Sequence, residues 1–199
     1  MFNDRSTPLS LLATRRSAKA RDLVAPGPDP AELRHIVEIA TRTPDHGKLF
    51  PWRFVIVPDH RRDAFAALLR DALRIERPGA SARDIDAVVD DFAYQAPALV
   101  VVLSAPVHGH KIPLWEQELS AGAATMNLLH AVHASGYAAA WLTGWAAFSD
   151  MVRAGFAGPE RRIAGFVFIG TPSRPLEERP RPDPDAVIAD WTGSAPDGF

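Results

Sequence analysis

The 199-residue sequence contains no cysteine. That excludes disulfides, thiolate nucleophiles, thiolate zinc sites and cysteine-held iron–sulfur clusters. It leaves the compartment open, a reducing cytoplasm being the easier home for a chain without covalent staples. Lysine is scarce, with only Lys19, Lys48 and Lys111 among 22 basic residues. A formal net charge of −2 supplies no global basic field, so nucleic acid is not an expected partner. Long apolar runs are missing too. The run Leu9–Ala13 is too short for a secretory signal and follows an acidic residue. Residues 119–149 carry no Asp, Glu, Lys or Arg. Ser120, Thr125, Asn127, His130, His133 and Gly136 interrupt that stretch, and its period changes near Gly136. It therefore reads as a buried helix followed by a buried strand, and no membrane partner is expected.

Motifs are absent as well. No G-x-x-x-x-G-K-[ST], G-x-G-x-x-G or G-x-S-x-G occurs. His108 with His110, and His130 with His133, lack a nearby Glu-x-x-His or H-E-x-x-H context, so no metal ligand is assigned. Glu116 and Glu118, two apart on a helix, point away from each other and read as charge complementing the helix N-terminus.

What is present is an interleaving of helix and strand signals. Thr7–Thr14 is a short helix ending in a basic cluster; residues 1–21 carry five positive charges and one negative. Asp29, Pro30 and Glu32 form a capping-box start, and Leu33, Ile36, Val37 and Ala40 follow at helical spacing. A Pro- and Gly-bearing loop, 44–52, precedes a strand at 54–57. Asp59 is expected to cap a helix to about Glu76, and Ser81 with Asp84 a helix to about Gln95. Ala98–Leu103 is a central strand, 115–135 a long uncharged helix stopped by Gly136, and 137–143 a strand. Ser149 caps a short helix, and 163–169 is the last strand. Four strands among helices give one α/β or α+β domain over 1–199. The segment 172–199, with six prolines and Trp191, is an extended tail expected to lie against something.

Several strings together resemble the nitroreductase family, in particular its short YdjA-like members. They are Arg15-Arg16-Ser17, Arg42-x-Pro44-Asp45-His46, Pro51-Trp52, the run from Lys111 to Gly122, and Gly165-Phe166 through Gly170-Thr171-Pro172. Their order spans roughly residues 9–185, and the run from Lys111 to Gly122 is the specific one. The resemblance implies an α+β fold: a three-layer α/β/α sandwich around a mixed, mostly antiparallel sheet. It implies FMN as cofactor, NAD(P)H as electron donor, and a homodimer with two active sites at the interface, the tail packing on the partner subunit.

Residue chemistry fits a flavin nucleotide. Its phosphate needs neutralising, and arginine does this with bidentate geometry. Taken alone, Arg15 and Arg16 read better as a solvated helix end bonding its own carbonyls. The resemblance assigns Arg15, Arg16 and Ser17 to the phosphate and ribityl chain. It brings Arg42, His46 and Lys48 to the flavin from the other subunit, and adds Trp141, Leu142 and Thr143 as a third contacting segment. For Trp141, plain core packing is an equal alternative. Residues 131–136 match a stretch sometimes assigned to the nicotinamide nucleotide, but here they read as the end of a buried helix. Lys48 and Phe50 stand where the wider family has Asn and Gln; Phe50 cannot hydrogen-bond the ring, whereas Lys48 would place a cation beside a reduced flavin. The implied activity is two-step hydride transfer from NAD(P)H to an electron-poor small molecule (a nitroaromatic, quinone or enone), with His46 the candidate proton donor. The alternatives are a flavin-dependent dehydrogenase of a small metabolite and a flavin-binding protein without turnover.

Overall fold

The structure is a computed structural model and describes residues 1–194. Helix α1, Pro8–Thr14, starts at Thr7, whose hydroxyl accepts from the Ser10 amide at 3.0 Å. A two-residue strand, β1 (Leu23–Val24), precedes α2 (Pro30–Ala40). The α2 start is a complete capping box: Asp29 Oδ1 accepts from the amides of Ala31 and Glu32 at 2.8 and 2.9 Å, and Glu32 Oε2 accepts from the Asp29 amide at 3.0 Å. Strand β2 is Trp52–Val57, and α3 is Arg62–Glu76. The expected Asp59 cap is not formed. A 3-10 turn over Asp59–Arg61 leads into α3, and its backbone bond from Arg61 N–H to Pro58 O, at 2.9 Å, does the work a side chain would have done.

Helix α4 (Ala82–Ala93) is capped by Ser81, strand β3 is Ala98–Ser104, and α5 is Leu114–Ala134. Gly136, at φ +96°, marks the end of α5. Strand β4 (Ala138–Leu142) follows, then α6 (Gly144–Phe148), α7 (Asp150–Phe156) with Ser149 as its cap, and β5 (Arg162–Pro172). Sequence reasoning anticipated neither β1 nor α6. Among the described residues no helix is long and apolar enough to cross a membrane.

The sheet is built around β5, which pairs antiparallel with β1, β3 and β4; β2 pairs antiparallel with β3. All seven residues of β3 are buried, and strand alternation divides them between two cores. Leu99, Val101 and Leu103 share one face with Phe166 and Phe168, under Phe65, Leu69 and Leu73 of α3, Val89 of α4 and Val152 of α7. Ala98, Val100 and Val102 share the other with Val167 and Ile169, under Leu33 and Ile36 of α2 and Leu128 and Val132 of α5. The result is the expected α+β three-layer sandwich. The register of β3 against β5 slips between Val102 and Leu103, which face Gly165 and Ile163, so Ala164 bulges from the ladder. Its freed carbonyl accepts from Trp141 Nε1 at 2.9 Å.

Candidate functional site

The basic segment after α1 is fixed through its backbone. Asn3 clasps Arg16: Oδ1 accepts from its amide at 2.7 Å and Nδ2 donates to its carbonyl at 3.2 Å. His133, fully buried on α5, places Nδ1 2.6 Å from the Leu129 carbonyl and Nε2 3.2 Å from the Arg16 carbonyl. Burial pushes its pKa below the ordinary histidine value of 6.5, and the charge of Arg15 adds to that. An unfolded chain binds this proton near 6.5, the folded chain only at lower pH. The contribution of His133 to stability is therefore complete above about pH 7 and is lost as pH falls from 6.5 through the lower folded-state value. The urea midpoint of the wild type is expected to drop between about pH 7.5 and 5.5, and His133→Gln to flatten that slope, leaving the share of His130. An unchanged slope would contradict the assignment.

The two arginines, alike in sequence, differ in the fold. Arg16 is buried, its Nε donating to the Glu177 carbonyl at 2.7 Å and lying 3.5 Å from Glu178 Oε1. Lys19 adds an ion pair to Glu177 at 3.3 Å. Arg16 is thus the anchor of the tail, which runs back over its own chain through Arg174 against Asp22, at 3.8 Å, and Ser173, whose amide donates to the Asp22 carbonyl at 2.8 Å. Arg15 is half-buried, donates to Ser17 Oγ at 3.1 Å, and has no carboxylate within ion-pair distance among the described residues. Burial and the positive charges of Arg181 and Arg16 push its pKa down. Beside it on α5, His130 has a buried Nδ1 without a hydrogen-bond partner among the described residues, and burial with the Arg15 charge lowers its pKa. Among the described residues Arg15 is thus a half-buried cation left without a counter-charge, the donor that an anionic oxygen group fits. His130 and Arg181 were not among the residues expected there. His130 stands in the long uncharged helix, and Arg181 lies 166 positions from Arg15.

The loop 44–51 is held rigidly at the other end of α5. Ser120 Oγ donates to the Pro44 carbonyl at 2.8 Å and accepts from Trp52 Nε1 at 3.3 Å. Asp45 Oδ2 accepts from the Phe50 amide at 2.7 Å, and His46 Nδ1 lies 2.8 Å from Glu116 Oε2. Gly47, Lys48 and Phe50 have φ of +84°, +57° and +49°, a left-handed course that is costly for a bulky side chain. Lys48, Phe50 and Arg42 are exposed at its surface. A Cβ on Gly47 would also come within 2.2 Å of Ile112 Cδ1. Gly47→Ala should therefore cost about 1–3 kcal/mol, read as a lower urea midpoint; a neutral result would mean the loop is not held as described.

Trp141 lies across Gly165, where a Cβ would sit 2.0 Å from Nε1. Its indole N–H is committed to Ala164, so its first role is packing, with an edge left exposed. Leu142 is half-buried and lines a cleft with Ala18, Lys19 and Arg21; Thr143 is exposed. The 15–21 segment and the end of β4 are thus brought together. The loop with Arg42, His46 and Lys48 is not. At about 1.5 Å per residue, Glu116, which holds the loop, and His130, beside Arg15, stand roughly 20 Å apart on α5.

Residues 12–171 match the model of the nitroreductase family. Over 168 residues the chain is 34% identical to Escherichia coli K12 YdjA, provisionally named an NAD(P)H nitroreductase, a match that covers 82% of this chain and 87% of that one. The chain belongs to the nitroreductase family. A Haemophilus influenzae protein with the same provisional description is 36% identical over 165 residues, again covering 82% of this chain and 87% of its own. Among solved structures, a nitroreductase-like protein from Bacillus cereus matches with TM-score 0.78 at 18% identity, over 94% of this chain and 97% of that one. A provisionally named nitroreductase from Desulfovibrio desulfuricans, solved in complex with FMN, matches with TM-score 0.68 at 20% identity, over 94% of this chain and 98% of that one. These structures share the fold of this chain, whose five-stranded sheet is antiparallel in every pairing among the described residues.

Proposed function

We propose that this nitroreductase is an FMN-dependent NAD(P)H oxidoreductase that reduces an electron-poor small molecule, a nitroaromatic, quinone or enone, and works as a homodimer. The observation that carries the reading is Arg15, a half-buried cation with no acidic partner among the described residues, bonded to Ser17 and set beside His130. These residues fit the phosphate of FMN. When bound, FMN supplies two-electron redox chemistry between the nicotinamide and the acceptor. Arg15 binds the phosphate and Ser17, held by Arg15, the ribityl chain; Arg16 contributes by fixing the segment. Trp141, Leu142 and Thr143 line the ring at the end of β4. Arg42, His46 and Lys48 approach it from the second subunit, where Lys48 adds positive charge and His46 offers a ring nitrogen.

The need for a second subunit rests on α5. Its two ends carry the two halves of the site, too far apart to meet within one chain. An antiparallel copy of α5 across a two-fold axis puts the loop end of one subunit beside the Arg15 end of the other. The helix has a free face for this among the described residues: Trp115, Leu119 and Ala123 are exposed, and a Cβ on Gly122 would meet none of their atoms within 4 Å. Leu9, Leu12 and Phe148 are further exposed apolar groups, as are Val187, Ile188 and Trp191 of the tail. Residues 195–199 of that tail lie outside the described residues. Two buried faces also account for a long helix with so little charge.

Leu119→Asp is expected to yield folded monomers in analytical ultracentrifugation and to abolish FMN binding with the same substitution. Dimers, or monomers that still bind FMN, would contradict the shared site. Steady-state oxidation of NADH and NADPH with nitroaromatic, quinone and enone acceptors tests the reaction.

A further inference from the structure

Glu116 sits in the first turn of α5, where an acidic residue needs no other reason than the helix dipole. The structure gives it a second contact, with His46 across 70 positions of sequence. A carboxylate only accepts, so the imidazole nitrogen 2.8 Å from Glu116 Oε2, Nδ1, carries a proton. In the neutral ring the other nitrogen, Nε2, is then bare; in the imidazolium it is a donor. Nε2 has no hydrogen bond among the described residues, and the His46 side chain is 68% exposed.

Both sides of the contact are anchored. The loop is pinned by Ser120 at Pro44 and by Asp45 at Phe50. The α5 end is pinned by Gln117, buried beside Glu116. Its Oε1 accepts from the Val107 amide at 2.7 Å and its Nε2 donates to the Ile112 carbonyl at 3.0 Å. Glu118, by contrast, only approaches Arg162 at 4.0 Å on the surface. An exposed pair adds little to stability, so this geometry is better explained by what it does to the ring.

We propose that Glu116 is a positioning residue: through Nδ1 it holds His46 in one tautomer and one orientation, so that Nε2 is the atom offered to the acceptor. The reaction assigned to Nε2 rests on the oxidoreductase reading above. A quinone or enone that receives a hydride becomes an oxygen anion short of one proton. Imidazolium Nε2–H donates that proton to the oxygen, and the ring, left neutral with Nδ1–H still bonded to Glu116, takes one proton back from water.

Nitrogen-15 NMR of the histidine rings, at a pH where His46 is neutral, tests the positioning in the wild-type protein without reference to turnover. The expected signature is the Nδ1–H tautomer for His46, kept in Glu116→Gln, whose amide oxygen still accepts, and lost to a mixture in Glu116→Ala. With a quinone acceptor, turnover should fall about tenfold to a hundredfold in Glu116→Ala at unchanged KM for NAD(P)H and unchanged melting temperature, and recover in Glu116→Gln. An Nε2–H ring in the wild type overturns the proposal. So does a Glu116→Gln enzyme as slow as Glu116→Ala, which would leave only the charge at the helix end. If the wild type itself oxidises no NAD(P)H, the oxidoreductase reading fails, while the NMR result still decides whether Glu116 sets the ring.

Discussion

Arg15→Ala should weaken FMN binding about tenfold to a hundredfold, because a charge-assisted hydrogen bond to a phosphate contributes about 1.5–3 kcal/mol. Fluorescence quenching of FMN on titration with protein measures this. The folded protein should not lose stability with it. Arg15 has no carboxylate partner among the described residues and is repelled by Arg16 and Arg181, so removing it relieves a repulsion instead of breaking an ion pair. Arg16→Ala is the contrasting case. It removes a buried guanidinium that holds the Glu177 carbonyl and faces Glu178, so it should loosen the tail and lower the melting temperature. Equal FMN affinities for wild type and Arg15→Ala would place the phosphate elsewhere.

Phe166→Ala should destabilise the fold by about 3–5 kcal/mol, the range for emptying a buried phenylalanine site. Phe166 is fully buried at the centre of β5. It stacks on Phe65 at a ring-centroid distance of 5.9 Å and meets Phe92 edge-on at 5.1 Å. The site cannot collapse easily, because Phe65, Phe92 and Phe156 come from three different helices. Urea unfolding gives the value directly; a loss below about 1 kcal/mol would mean this core repacks freely.

The elements visible in the sequence are those with a local cause. Thr7, Asp29, Ser81 and Ser149 cap helices because each side chain reaches an amide within three residues. Strand β3 is visible because both of its faces are apolar. Strand β1 is too short to show alternation, and α6 is a single turn, so neither leaves a periodic trace. Asp59 has the residue type of a cap, but the turn that follows Pro58 satisfies the backbone first. The site was legible as a set of residue types and not as a geometry. Arg15 and Arg16 are separated in role by a tail 161 positions away from Arg16. Glu116 acquires a partner through a loop that no helical pattern predicts. Trp141 is committed to packing by a bulge at Ala164, a feature of strand pairing that the sequence of β4 does not contain.

The most direct test of the account is an absorption spectrum of the protein after mixing with FMN and removing the excess by gel filtration, recorded before and after adding NADH or NADPH without oxygen. The account predicts flavin that travels with a dimeric protein, one per subunit, and whose visible bands bleach with at least one of the two nucleotides. A colourless protein, or bound flavin that neither nucleotide reduces, would contradict it.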